Sequence, residues 1–143
     1  MSEEEFQKFL LPLTANQRRI CLECHSFLMR FIHVKCEKKF GVPFYKVNGW
    51  FCYINPVHGG GVNISFPYAK KFNDKTNALF YGELKLVGSL RLNAFEDIAL
   101  GVFPSLIQEA LEIDRRKDWG SRTLDSNFNN IRLPTYESEK RMG

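Results

Sequence analysis

Polar and apolar positions over the first forty residues predict two helices. Ser2 is expected to cap a short helix that ends at Leu11, and the acidic residues after it suit the positive end of a helix dipole. Thr14 is the expected cap of a longer second helix that continues to about Lys39, because Gly41 follows in the usual order of a helix stop. The N-terminal part of the chain is therefore predicted to be helical.

The middle of the chain changes to the period-two pattern of β-strands. Two aromatic and β-branched runs, PFYKV and WFCYINP, flank Asn48-Gly49, and such a pair between such runs is the strongest short signal of a hairpin. The alternation in VNISF, residues 62–66, predicts a third strand. LKLVGSLRL, residues 84–92, predicts a further strand that bends or bulges at Gly88.

A helical stripe of apolar residues begins near residue 94 and runs to about Lys117. A proline within this stripe predicts a kink or a break near Gly101. The chain then becomes polar, so residues 119–143 are predicted to form a C-terminal tail.

Composition limits the class of protein. The chain has 143 residues, of which 44% are hydrophobic and 25% charged, as is typical of one globular domain. The net charge of +4 is modest and the basic residues are dispersed, so we expect no nucleic-acid partner. The acidic start is unlike a secretory signal and no apolar run could span a bilayer, so we expect a cytoplasmic protein without a membrane partner. The four cysteines are then expected to be reduced thiols.

The segment CLECH in the second predicted helix spells the haem-attachment motif C-x-x-C-H. On a helix, Cys24 falls at the centre of the apolar face, Cys21 at its flank and His25 at its boundary, which favours a place in the core. A zinc or iron site through Cys21 and His25 is the alternative, and a redox dithiol is a weaker one. A closed metal site needs two more ligands, and Cys36 and Cys52 are far away in the predicted elements. We therefore expect neither haem nor a metal ligand here.

The segment HGGGV, which begins at His58, is similar to the oxyanion loop of esterases. That loop acts beside a G-x-S-x-G nucleophile elbow, which this chain lacks. The glycines are expected to form a hairpin loop with positive φ angles. Because spacing alone assembles no nucleophile, base and orienting group, the sequence favours a non-enzymatic protein without catalytic residues.

Aromatic residues are concentrated in the predicted hairpin. In a regular strand Trp50 and Tyr53 have opposite parity, so only one of them can line a given face. Aromatic residues on both faces indicate either a core closed on both sides or one exposed aromatic surface. A ligand site is expected where the aromatic strands meet the loops, because pockets combine aromatic walls with a few polar groups. The expected ligand-binding residues are Trp50, Tyr53, His58, Tyr68 and Arg91.

The order of these motifs resembles that of the YdhG-like family, domain-of-unknown-function family 1801. The resemblance is carried by EKKFGVPFYKVNGWFCYI, VNISFPYAKKFND, YGELKLVGSLRL and FEDIALGVFPSLIQEAL, and it covers about residues 14–114. In that family an aromatic residue at a helix end is followed by x-x-Pro-aromatic, which Phe40, Pro43 and Phe44 match. The other matched positions are Tyr53, Phe66, Gly82, Arg91, Asp97, Ile98 and Ala110.

The resemblance implies a frataxin-like α+β fold, in which N-terminal and C-terminal helices pack on an antiparallel sheet of about four to five strands. It implies one domain over residues 1–118, followed by the tail over residues 119–143. The expected function is that of a non-enzymatic binding domain that engages a small molecule or a protein through its aromatic sheet surface. Iron handling is the alternative, because a bacterial member is described as a frataxin-like intracellular iron chaperone. No iron ligand can be matched residue by residue, so no cofactor is assigned.

Overall fold

The structure, a computed structural model, describes residues 1–73, 78–82, 86–99 and 101–116. In chain order the elements are α1 (Glu3–Leu10), α2 (Ala15–Leu28), β1 (Lys35–Lys39), β2 (Val42–Lys46), β3 (Trp50–Pro56), β4 (Val62–Phe66), a 3-10 turn (Ala69–Lys71), β5 (Phe80–Tyr81), β6 (Gly88–Leu92), α3 (Glu96–Ala99) and α4 (Val102–Arg115). The strands form one antiparallel sheet in the order β1-β2-β3-β4-β6-β5. The predicted α+β class is confirmed, and the described sheet has six strands where about four to five were expected.

The two N-terminal helices begin at the predicted caps. Ser2 Oγ accepts the Glu5 N–H at 3.1 Å while Glu5 Oε1 accepts the Ser2 N–H at 3.0 Å, which closes a capping box on α1. Thr14 and Gln17 repeat this box on α2, with both hydrogen bonds at 3.1 Å. Both cap predictions are confirmed, and α1 ends at Leu10.

The second helix is shorter than predicted. α2 ends at Leu28, and the residues expected to complete it form β1, every residue of which pairs with β2. The prediction of a helix to about Lys39 was wrong because Gly41, taken as the helix stop, lies in the turn of a hairpin. Pairing with β2 overrides the helix preference of the lysines and glutamate before it. Phe40 and Gly41, with φ of +54° and +80°, form the two-residue turn between the strands.

One face of the sheet packs against the helices. Side chains from all four helices share a single core with alternate residues of the strands. The buried core members include Phe6, Ile20, Cys24, Leu28, Tyr45, Cys52, Ile54, Ile64, Phe66, Leu90, Ile98, Phe103 and Ile107.

No helix within the described ranges is long and apolar enough to cross a membrane.

The last helical segment is broken, as the sequence predicted. Gly101, with φ of +88°, lies between α3 and α4. Pro104 falls in the first turn of α4, where its missing N–H would have had no helical partner. The predicted tail over residues 119–143 lies outside the described residues.

The end of α4 anchors the β2–β3 hairpin. Asp114 is buried, and its Oδ2 and Oδ1 accept the backbone N–H groups of Asn48 and Gly49, each at 2.8 Å. The Asn48 side-chain amide donates to the Asp114 carbonyl at 3.0 Å. The predicted hairpin at Asn48-Gly49 is confirmed, and a carboxylate from a distant helix holds its turn in place.

Candidate functional site

A cleft opens at the end of the sheet where three connections meet. The α1–α2 connection, the β1–β2 turn and the β3–β4 turn surround a space of about 850 Å³. Cavities of this size hold drug-sized molecules. The walls come from α1, the first turn of α2, Lys38 on β1, Val42 on β2 and residues 56–60 of the β3–β4 connection.

One wall of the cleft is a stripe along α1 and the turn that follows it. Glu5, Lys8, Phe9 and Pro12 follow one another at i, i+3, i+4 and i+7, the spacing of neighbours on one side of a helix. Phe9 also packs against the helix-side core and against the cluster that contains Val42. The apolar part of this wall is therefore continuous with the packed interior.

Gln17 fixes the opposite wall. Its side chain is buried, and Nε2 donates to the Val57 carbonyl at 2.8 Å and to the Gly61 carbonyl at 2.9 Å. Its Oε1 accepts the Thr14 N–H at 3.1 Å. Gln17 was not among the predicted site residues: the T-x-x-Q spacing indicates a capping box, and only the fold brings the β3–β4 turn within reach.

The β3–β4 turn depends on glycine. Gly59, Gly60 and Gly61 have φ of +93°, +128° and +79°, which confirms the expected positive angles. A Cβ at Gly61 would also lie 2.8 Å from Asn93 Oδ1. Gly59 and Gly60 have open space where a side chain would be, so their backbone is accessible from the cleft that they line.

Three side-chain acceptor atoms of the cleft are already engaged within the protein. Thr14 Oγ1 and Gln17 Oε1 each accept a backbone N–H of the α2 capping box. Glu5 Oε1 accepts the Ser2 N–H, and this bond lowers the pKa of the Glu5 carboxyl, with a smaller contribution from the nearby charge of Lys38. Apart from the second oxygen of Glu5, the side chains of the cleft therefore offer a ligand few free acceptors.

The side-chain donors in the cleft are less engaged within the protein than these acceptors are. The side chains of Lys38 and His58 are exposed, and neither makes a hydrogen bond or an ion pair within the described part of the chain. Lys8 Nζ lies 3.8 Å from Glu4 Oε1, but both side chains are largely exposed, so this pair is weak. The first turn of α2, which contributes to the lining, carries no acidic side chain at the positive end of its dipole.

The five predicted binding residues fall in three places. His58 lines the cleft. Trp50, Tyr53 and Arg91 lie on the sheet face opposite the helices, and Trp50 and Tyr53 share a small cluster there. Tyr68 packs beside α4 on the helix side. The structure thus does not bring these five residues together around one cavity.

A β-bulge in β3 changes the parity expected for a regular strand. Tyr45 and Lys46 are consecutive on β2, but their partners, Cys52 and Trp50, are two residues apart. Phe51 is the extra residue, and both Phe51 and Cys52 join the helix-side core. As a result, the two aromatic residues predicted to lie on different faces share the face opposite the helices.

These aromatic residues form a second, smaller core. Phe44 stacks on Tyr53 with ring centroids 4.5 Å apart and meets Trp50 edge-to-face at 5.9 Å. The ammonium groups of Lys39 and Lys46 lie 5.0 and 4.9 Å from the Trp50 ring centroid. Trp50 is 9% exposed and Tyr53 is 4% exposed, so neither ring offers a ligand an open surface in this conformation.

A polar row continues the same sheet face. Arg91 Nε donates to Asn63 Oδ1 at 2.6 Å, and the buried hydroxyls of Ser65 and Ser89 lie 2.8 Å apart. Asn55 Oδ1 is buried without a hydrogen-bond partner among the described residues. One of the donors of Arg91, Nε, is thus already used within this row.

The CLECH segment lies within α2, and its two cysteines face the core of the domain. Cys21 and Cys24 are fully buried, and burial raises the pKa of Cys21 to about 12 and that of Cys24 well above its usual value. His25 Nδ1 lies 2.7 Å from the Tyr45 hydroxyl, and burial lowers the His25 pKa. The predicted core position of Cys24 is confirmed. Within the described ranges no group of three or more His, Cys, Asp or Glu residues could hold a metal ion.

Fold and cleft together define an α+β domain with helices on one face of an antiparallel sheet and a cleft at the sheet's end. Comparisons with family models, with curated proteins and with solved structures gave no match to this chain. Membership of the YdhG-like family therefore stays a prediction that rests on the motifs quoted above.

Proposed function

We propose that this domain is a non-enzymatic binding protein that takes a small molecule into the cleft between α1 and the β3–β4 turn. The observation that carries the proposal is the cleft itself, whose volume of about 850 Å³ suits a small molecule. Its lining combines apolar side chains such as Phe9, Leu13 and Val42 with a few polar groups, as small-molecule sites do.

The walls of the cleft are held in place before any ligand arrives. Capping boxes fix the starts of α1 and α2, and Gln17 ties the β3–β4 turn to α2 through two carbonyls. A preformed site loses less conformational entropy on binding than a site that must be ordered. This rigidity supports a binding role for the cleft.

Binding without catalysis is supported by Thr14 and the four cysteines, whose nucleophilic groups are either hydrogen-bonded within the protein or buried. The Thr14 hydroxyl, which lines the cleft, is engaged as a helix cap. All four cysteines are free but buried, and buried neutral thiols are poor nucleophiles. Four cysteines without a disulfide also support the cytoplasmic location that we propose.

The proposal moves the binding place from the aromatic sheet surface to the cleft. Trp50 and Tyr53 are buried against Phe44, and opening them to a ligand would break a packed cluster. His58 is exposed and lines the cleft, so it is the predicted residue that keeps its place in the site.

A fragment screen observed by protein NMR tests this proposal. Fragments should shift the backbone amides of Leu13, Val57 and Gly59 while leaving the Trp50 indole signal unchanged. Fragment shifts confined to the aromatic cluster would contradict the cleft as the site. Absence of any fragment binding would contradict the binding function itself.

Two variants on α2 sharpen the result. Gln17→Leu removes both hydrogen bonds to the β3–β4 turn, so fragment binding should weaken throughout the cleft. Ser26→Ala changes an exposed position of the same helix away from the cleft and should leave fragment affinities unchanged. Equal fragment affinities in these two variants would contradict the role given to the turn.

A further inference from the structure

We infer that the ligand of the cleft is an amphipathic anion, an apolar body that carries one carboxylate or phosphate-monoester head. This inference rests on the proposed function and adds the chemical class of the ligand. It follows from the balance of donors and acceptors around the cleft and from the nature of its floor.

Two side-chain donors in the cleft are left open to a ligand. The Lys38 ammonium is exposed, and the His58 ring lies on the exposed β3–β4 turn. The acceptors of Thr14 and Gln17 are used by the capping box of α2. A head group rich in acceptor oxygens complements this arrangement, whereas a donor-rich head does not.

The balance of charge around the cleft also favours an anionic head. Lys8 and Lys38 are the two cationic side chains of the lining, and Glu5 is the one acidic side chain among its described residues. Glu5 is turned to the start of its own helix, where Oε1 accepts the Ser2 N–H. Glu4 offsets the charge of Lys8 in part, and the charges of Lys38 and Glu5 also attract each other, so the net attraction for an anion at the cleft is modest.

The apolar floor of the cleft favours a ligand with an apolar body. The floor is lined by hydrocarbon from α1, β2, β3 and two connections: Phe9, Leu13, Val42, Pro56 and Val57. Removing apolar ligand surface from water against such a floor contributes about 25 cal/mol per Å². The ligand therefore places its apolar body on this floor and its charged head at the rim, between Lys38 and His58.

Four probes with the same ten-carbon chain separate the contributions of head and body: decanoate, decyl phosphate, decan-1-ol and decylamine, each below its aggregation concentration. NMR titration of the full chain should show decanoate and decyl phosphate shifting the amides of Leu13 and Val57. Their dissociation constants should be about two- to fivefold lower than that of decan-1-ol, the gain expected for a partly exposed charge pair. Decylamine should bind most weakly.

Two lysines of the same strand provide the matched variants. Lys38→Gln should weaken decanoate binding by about two- to fivefold and leave decan-1-ol binding unchanged, because the lost attraction acts on the charged head alone. Lys35→Gln changes an exposed lysine of β1 outside the cleft and should alter neither probe. Both positions are exposed, so both variants should fold.

The outcomes distinguish the ligand class from the proposed function. Equal affinity for decanoate, decan-1-ol and decylamine at the cleft would overturn the anionic head and leave the binding function standing. Fragment binding at the cleft without binding of any ten-carbon probe would overturn the amphipathic body. A cleft that neither fragments nor probes occupy would overturn the proposed function as well.

Discussion

Replacement of Asp114 should detach the β2–β3 turn from α4 and destabilise the whole domain. The Asp114→Ala variant loses two hydrogen bonds from a buried carboxylate to the backbone N–H groups of Asn48 and Gly49. Hydrogen bonds to a charged group contribute about 1.5–3 kcal/mol each. Asn48 is exposed and can bind water instead, but the Gly49 N–H is buried and would stay unpaired.

We therefore expect Asp114→Ala to lower the free energy of unfolding by about 3 kcal/mol, which corresponds to a fall in Tm of about 10 °C for a domain of this size. Asp114→Asn keeps one acceptor oxygen and loses the other, so it should cost less, about 2 kcal/mol. Urea unfolding followed by circular dichroism gives both free energies. Amide hydrogen exchange at Gly49 should accelerate in both variants, because the protecting acceptor is weakened or absent.

Glu112→Ala is the matched control for this experiment. Glu112 is exposed and lies two residues earlier on the same helix, so its loss should change the free energy of unfolding by no more than about 0.5 kcal/mol. A loss below that value for Asp114→Ala, or unchanged exchange at Gly49, would refute the anchoring role of the carboxylate.

Three further predictions concern the buried groups of α2. Burial lowers the His25 pKa below its ordinary value of 6.5, so the unfolded chain binds this proton more readily, and stability should fall as the pH drops through that value. When the urea midpoint is measured over a series of pH values, that of the wild type should fall more steeply at low pH than that of His25→Gln. Midpoints that change in parallel with pH in the two proteins would contradict this prediction. Cys24→Ser should lower the free energy of unfolding by about 1 kcal/mol or more, because a hydroxyl replaces a fully buried sulfur; an unchanged urea midpoint would place Cys24 outside the core. Anaerobic titration with ferrous iron should show weak binding that Cys21→Ser does not alter, because a thiol with a pKa of about 12 stays protonated; a tight site lost in that variant would revive the iron-handling alternative.

Local features of this fold could be predicted because their physical causes lie within a few residues of chain. Ser2 and Thr14 cap helices through hydrogen bonds that span three residues. The Asn48-Gly49 hairpin and the break at Gly101 follow from backbone angles that particular residues favour. The burial of Cys24 follows from helical periodicity alone.

Features that depend on a distant partner could not be predicted. β1 has the composition of a helix, and it is a strand because five residues of β2 pair with it. The bulge at Phe51 shifts the pairing of β3 against β2, and this shift places Trp50 and Tyr53 on one face where alternation predicts two.

The cleft belongs to the second group. His58 could be selected from the sequence because a polar ring beside glycines marks an accessible turn. Gln17 could not be assigned its role, since its amide bonds a carbonyl 40 residues away, and sequence spacing does not specify such a distance in space. The sequence by itself therefore determined the caps, turns and most strands, which short-range hydrogen bonding and backbone preference decide. The tertiary structure alone decided which of these elements meet around a cavity, because that depends on strand pairing and packing between distant parts of the chain.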